Sequence, residues 1–254
     1  YEHQRALASS VRQIDNLTWE AETAEQALAW LRCKLYWPAA VAAHLPAEQG
    51  TEVRMKQRAF FRGQAVASWK PNPSLLRLSG EARSNATAAT KLAASIVDVE
   101  FRTLWDSDGT QGWPPLSDHS GYAAAQHYSF ETTLLDWTAI PSVAVHFATC
   151  SGSSATSPKA SVLWISAGDA TELGLKIVLP PVYIDRLYRQ RGLFTELDEA
   201  TSEALRQRCR RICFPAQPRH PALLTNDGTN TIEAELLPAA PWFDKLKHWS
   251  REHA

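Results

Sequence analysis

The chain has 254 residues, 44% of them hydrophobic, with 26 basic against 27 acidic side chains and a net charge of −1. That size and apolar content suffice for a sizeable core, and the balanced charge gives no general basic footprint for nucleic acid or an anionic membrane. No apolar run approaches the roughly 20 residues that span a bilayer and no signal peptide is read, so no membrane partner and a cytoplasmic location are expected.

Residues 1–22 are polar and read as a peripheral segment. Thr23 and Gln26 then form a capping-box signature, and Leu28, Leu31 and Leu35 fall on one helical face before Pro38 and Pro46 limit the helix. Residues 57–61 read as a strand, and 63–80 as a loop punctuated by Pro71 and Pro73. A long helix is predicted over 81–105. Its stripes are Leu92, Ile96, Val99 and Thr103, and Val97, Phe101 and Leu104, apolar enough to lie inside. A short helix follows over 118–128 and a strand over 132–135. A helix then starts at Pro141, where proline suits the first turn, and runs to Thr149. Residues 151–158 read as an exposed loop. Strands are predicted at 162–166, 175–179, 192–195 and 212–214, with helices at 181–189, from Leu197, and at 241–249. With no repeat and no dividing linker, the pattern gives an α+β class: a single domain over 23–237, flanked by a C-terminal helical segment over 238–254.

Four segments carry chemistry. In Phe60-Phe61-Arg62-Gly63-Gln64 an arginine ends an apolar strand and a glycine follows it. The planar guanidinium fork suits phosphate or carboxylate, or else a buried structural acid. In the block from Gln126-His127-Tyr128 to Leu134-Leu135-Asp136-Trp137-Thr138, Asp136 reads as a partner of Arg62 or a helix cap. Thr138 reads as a cap too. His127 reads as a base or as a histidine bonded to a backbone carbonyl. Arg186 and Gln190 share a helix face ahead of Gly192 and Phe194. The run from Arg206 to Arg211 reads as a solvated helix end or a nucleic-acid contact. Cys33, Cys150, Cys209 and Cys213 complete no zinc pattern and read as reduced thiols, so no metal is expected. The ten tryptophans read as core or cleft walls. A hydrolase built on His127 and Asp136 lacks a nucleophile elbow.

Phe61-Arg62-Gly63-Gln64, Trp69, Pro73-Ser74-Leu75, Gln126-His127-Tyr128, Leu134-Leu135-Asp136-Trp137-Thr138, Pro141, Phe147-Ala148, Arg186, Gln190, Gly192 and Phe194 occur in that order. So do Ile212, Phe214-Pro215 and Gly228. Over about residues 20–235 the chain resembles the FRG domain, a family named for its Phe-Arg-Gly motif. It departs where the family has Gly-x-Pro-Thr-Arg: here Ser129-Phe130-Glu131-Thr132-Thr133 puts Glu131 for proline and Thr133 for arginine.

The block order is in turn similar to that of ADP-ribosyltransferases. That resemblance implies a mixed or split β-sheet core flanked by helices, NAD as substrate, and a bacterial toxin or defence effector acting on nucleic acid or protein. An immunity protein, fused domains and action in a target cell's cytoplasm belong to the same implication. Arg62 would hold the phosphate or ribose, Gly63 would offer backbone groups to the nicotinamide, and Trp137 or Tyr128 would stack on it. Gln64, His127, Thr138 and Arg186 complete the implied NAD-binding set; Arg62, Gln190 and Asp136 are the implied catalytic set. Gly192 stands where that scheme has its catalytic glutamate. The missing charge comes from Asp136, Glu131 or Glu196, or the acceptor is a strong nucleophile, or the protein is a non-catalytic nucleotide or nucleic-acid binding module.

Overall fold

A computed structural model describes residues 2–36, 58–107, 120–127, 129–149, 158–179 and 190–216. Its helices are α1 (Glu2–Ser9), α2 (Ala24–Leu31), α3 (Gly80–Ser107), α4 (Ser120–His127), α5 (Pro141–Thr149), α6 (Ala167–Glu172) and α7 (Glu199–Arg208). Its strands are β1 (Arg12–Gln13), β2 (Thr18–Glu20), β3 (Ala59–Gln64), β4 (Leu134–Thr138), β5 (Lys159–Ser166), β6 (Lys176–Val178), β7 (Gly192–Glu196) and β8 (Arg210–Pro215). The class is mixed α+β with an open mixed sheet. The chain groups into two compact units. One holds 1–71, 137–175 and 203–232; the other holds 72–136, 176–202 and 233–254. The helix and loop expected at 181–189 and 151–157, the C-terminal helix, and Pro38 and Pro46 lie outside the described residues.

In the first unit the strands run β1-β2-β8-β5-β3 and end on the last residues of β4. All neighbours are antiparallel except β2 and β8, which are parallel. The first 22 residues are therefore not peripheral. Their polarity hides a short strand that hydrogen-bonds to β8 through its backbone, and Ala8 and Ala21 enter the core. Trp19, Trp30 and Trp164 meet as three tilted rings with centroids 5.1–5.4 Å apart. Burial of a large apolar side chain contributes about 1.5–3 kcal/mol, so this cluster anchors α2 to β5 and β2. Thr23 caps α2 as expected, its side chain accepting from the Gln26 N–H; the Gln26 side chain returns to the N–H of Glu22 rather than to the cap residue. A π-helical turn, Arg32–Tyr36, continues from α2.

Helix α5 lies on β3, and Gly63 permits it. A Cβ on that glycine would stand 1.9 Å from the Ala144 carbonyl oxygen and 2.6 Å from the Ala148 nitrogen. Helix backbone thus occupies the space a side chain would need.

The arginine run is not a freely solvated helix end. Arg206 pairs with Glu203; Arg208 reaches Glu172 at 3.3 Å; Arg210 reaches Asp169 at 2.7 Å; Arg211 donates to the Ala67 carbonyl at 2.8 Å. Asp169 also belongs to a helix the hydropathy pattern concealed. Ser166 caps α6 by accepting from the Asp169 N–H, and its hydroxyl donates to the Asp169 carboxylate at 2.7 Å. Burial pushes the Asp169 carboxyl up, but the Ser166 hydroxyl and the Arg210 and Arg208 guanidiniums outweigh it and leave the group below its ordinary value.

In the second unit, β4, β7 and β6 are neighbours, with β6 and β7 antiparallel. The buried stripe of α3 is Ala89, Thr90, Ala93, Ala94 and Val97, while Leu92 and Ile96 are half-buried. The expectation favoured large residues, but α4 comes too close for them: a Cβ on Gly121 would stand 2.4 Å from the Ala94 carbonyl. Small residues line such contacts because they let backbones approach. Phe130, Leu134, Val178 and Phe194 complete this core with Ala123, Ala124 and Ala125. Strand β4 starts two residues later than expected and runs through Asp136-Trp137-Thr138, because backbone pairing does not stop at polar side chains.

Two measurements follow from these contacts. Gly63→Ala should lose about 2–3 kcal/mol or more in urea denaturation, since α5 must shift to admit the methyl group. Asp169→Asn should be less stable than the parent at neutral pH. A carboxyl lowered on folding stabilises above its unfolded value and loses that contribution as pH falls through its folded value. The stability difference should therefore be full at pH 6 and close in denaturation series below about pH 4.

Candidate functional site

The first unit presents one strand with two different faces. Side chains alternate along β3, so Phe61 and Gly63 point to α5 while Arg62 and Gln64 point away. Arg62 does not end the strand, as expected, but sits inside it. Pairing with β5 continues through Gly63 opposite Val162 and Gln64 opposite Ser161. Arg62 is opposite Leu163, which is opposite Arg211; Ser161 is opposite Cys213. These residues form two rows across three strands on one face. Thr138 is opposite Phe61, which puts Trp137 on the face of Arg62. Trp137 and Thr138 are buried and Arg62 is half-buried. Thr138 accepts from the Ile140 N–H at 3.1 Å, which makes it the turn residue leading into α5.

Cys209 is a closed thiol in this unit. Burial raises it to about 12, although Arg211, Arg210 and Arg62 all pull it down. It is not a nucleophile at neutral pH. Cys33, Cys209 and Cys213 are free thiols.

The second unit gathers polar side chains around Thr132. Its hydroxyl donates to the Gln126 side-chain oxygen and accepts from the Leu134 N–H at 3.0 Å. Its backbone N–H donates to the Ser74 hydroxyl at 3.1 Å, and its carbonyl accepts from the Leu75 N–H at 3.1 Å. Gln126 in turn donates to Asp136 at 2.9 Å. Sequence reasoning assigned Asp136 to Arg62 or a cap and gave no role to Ser74, Gln126 or Thr132. The positions are separated by up to 58 residues, and no local spacing joins Ser74 to Thr132.

Helix α4 ends in a Schellman motif. The Phe130 N–H donates to the Ala125 carbonyl and the Ser129 N–H to the Gln126 carbonyl, both at 3.0 Å, with Ser129 at φ 67°. His127 is in the last turn, half-buried. Gln190 is buried just before Arg191, which has φ 46°, and Gly192 opens β7. Of the acids offered in place of the absent glutamate, Glu196 is paired with Lys176 at 2.9 Å. The Glu131 backbone carbonyl accepts from the Thr90 hydroxyl at 2.8 Å. Tyr128 and Arg186 lie outside the described residues. The structure thus brings Arg62, Gly63, Gln64, Trp137 and Thr138 together in one unit, and has His127, Asp136 and Gln190 in the other. At Gly63 the close approach that a glycine allows is made by the backbone of α5. Among the described residues no group of three or more His, Cys, Asp or Glu is placed to hold a metal ion, and no helix is long and apolar enough to cross a membrane.

Against known families, the FRG domain matches residues 57–157. The chain carries an FRG domain. No curated protein and no solved structure matches it. The FRG motifs acquire physical reasons here. The motif glycine admits α5, the serine of Pro-Ser-Leu bonds Thr132, and the glutamine before His127 joins Thr132 to Asp136. Ser129, at φ 67°, replaces the family's glycine in this turn. A non-glycine residue there costs about 1–2 kcal/mol, partly offset by the entropy a glycine loses on folding. Ser129→Gly should therefore stabilise the FRG domain by roughly 0.5–1 kcal/mol in chemical denaturation.

Proposed function

We propose that this protein is an NAD-dependent ADP-ribosyltransferase-like enzyme, of the toxin or defence-effector kind, with a nucleic acid or protein as acceptor. One observation carries the reading: Arg62 rises half-buried from the middle of a strand onto the face that Trp137 also occupies. A guanidinium partly withdrawn from water binds a diphosphate more strongly than an exposed one, because its hydrogen bonds and Coulomb attraction are less screened. The buried Trp137 ring supplies an apolar wall for a nicotinamide.

In the reaction the bond between ribose C1 and the nicotinamide nitrogen breaks, and nicotinamide leaves with the electron pair. The acceptor nucleophile then bonds to C1 and loses its proton. Arg62 contributes by fixing the diphosphate, so that C1 is held in place while charge develops on the ribose.

A second reading, a nucleotide or nucleic-acid binding module without catalysis, is favoured by Gly192 in the place of a glutamate and by the engagement of Glu196 with Lys176. Incubation with NAD and protein, RNA or DNA acceptors separates the two. Nicotinamide release by the parent protein, reduced at least about 30-fold in Arg62→Ala through loss of charged hydrogen bonds, supports the transferase. Calorimetric binding of NAD without release supports the binding module. Neither binding nor release overturns both.

A further inference from the structure

We infer that Gln64 and Ser161 form a hydroxyl-reading pair for a ribose, adjacent to the phosphate held by Arg62. This rests on the nucleotide reading above and goes beyond it by assigning Ser161 and by naming the group the pair recognises.

Gln64 and Ser161 face each other across β3 and β5, on the same face as Arg62. Gln64 is 5% exposed and Ser161 is 0% exposed. Yet the Gln64 side-chain oxygen and the Ser161 hydroxyl, both closed to solvent, make no hydrogen bond. Leaving a buried polar atom unsatisfied costs about 1–3 kcal/mol, and two such atoms on paired residues double that cost. Folding alone would favour Met or Leu at one position and Ala or Val at the other. The opposite face of the same strands shows that choice, with Phe61, Val162 and Trp164.

The two atoms are chemically complementary to a vicinal diol. The Gln64 oxygen accepts from one hydroxyl, and the Ser161 hydroxyl donates to its neighbour. A carboxylate or phosphate would meet the Gln64 oxygen as repulsion, so a second anion is the wrong occupant. Arg62 and Gln64 are two residues apart on one strand, a rise of about 6.7 Å, which is the scale separating a 5′-phosphate from the ribose hydroxyls. Both atoms are closed in the unliganded protein, so binding must open this face. The adjoining segment is tied back through Ala67, whose N–H donates to the Lys159 carbonyl at 2.9 Å and whose carbonyl accepts from Arg211.

ADP-ribose is the probe, with titration calorimetry and thermal melting as readouts. The double variant Gln64→Met, Ser161→Ala should bind ADP-ribose at least tenfold more weakly, yet melt at or above the parent temperature without ligand. A purely structural pair would give the reverse: lower melting and unchanged affinity. Either lower unliganded melting or parental affinity in the variant overturns the inference. An ADP-ribose analogue lacking the vicinal hydroxyls of its terminal ribose should bind the parent protein at least tenfold more weakly; equal binding overturns the inference without reliance on any variant. If the parent protein does not bind ADP-ribose at all, the nucleotide reading itself fails and this inference falls with it. Binding that is lost in Arg62→Ala but kept in the double variant rejects the pair alone.

Discussion

The first unit depends on the contact between a helix and the glycine of a strand. Helix α5 sits so close to β3 that Gly63 has no room for a methyl group. This locks the strand's rotation about its own axis. With Phe61 and Gly63 fixed toward α5, alternation leaves Arg62 and Gln64 no choice of face. The adjacency of Phe, Arg and Gly in the motif is thus one mechanical requirement. The phenylalanine fills the core, the glycine admits the helix, and the residue between them is delivered to the other side. The motif name lists three residues in a row, but physically they act on two sides of a sheet.

The second unit solves a different problem, how to hold a turn between α4 and β4 without the residues its family uses there. Proline and arginine are absent, and Glu131 and Thr133 stand in their places. Backbone groups carry much of the load instead: the Glu131 carbonyl accepts from Thr90 and the Thr133 carbonyl accepts from the Leu197 N–H. These bonds require no particular side chain at 131 or 133, which is why the positions can change while the turn persists. Thr132 between them cannot change as freely. Its hydroxyl, N–H and carbonyl are all engaged, to Gln126, Leu134, Ser74 and Leu75.

Elements with local signals were legible in the sequence. Thr23 and Gln26 announced α2, Pro141 announced α5, and the long run after Gly80 announced α3. Strand ends were not legible, because Arg62, Gln64, Asp136 and Thr138 are polar and yet continue a backbone ladder. Strand β2 was invisible for a related reason: its parallel partner β8 lies nearly two hundred residues away, and three residues carry no periodicity. Helix α6 had a signal that went unread, the Ser166-x-x-Asp169 spacing of a capping box. Of the candidate site, residue types and order were readable, as was the grouping of Arg62 with its two neighbours. The Ser74–Thr132 bond and the Ser161 position opposite Gln64 were not, since both arise only when distant segments are brought into register.

The distribution of arginines shows why sequence charge alone misleads about how much of it is already paired. The densest cationic run, 206–211, looks like the natural anion site, but its charge is already answered. Glu203, Asp169 and Glu172 face it, and the Ala67 carbonyl takes Arg211. An incoming phosphate there would compete with carboxylates at contact distance. Arg62 lies opposite the fully buried Leu163, in the row that also holds Arg211. A half-buried guanidinium is screened less by water than an exposed one, so burial as well as pairing sets the field a cation presents. Position in the fold, and not the number of cations along the sequence, decides how much of that charge is already answered.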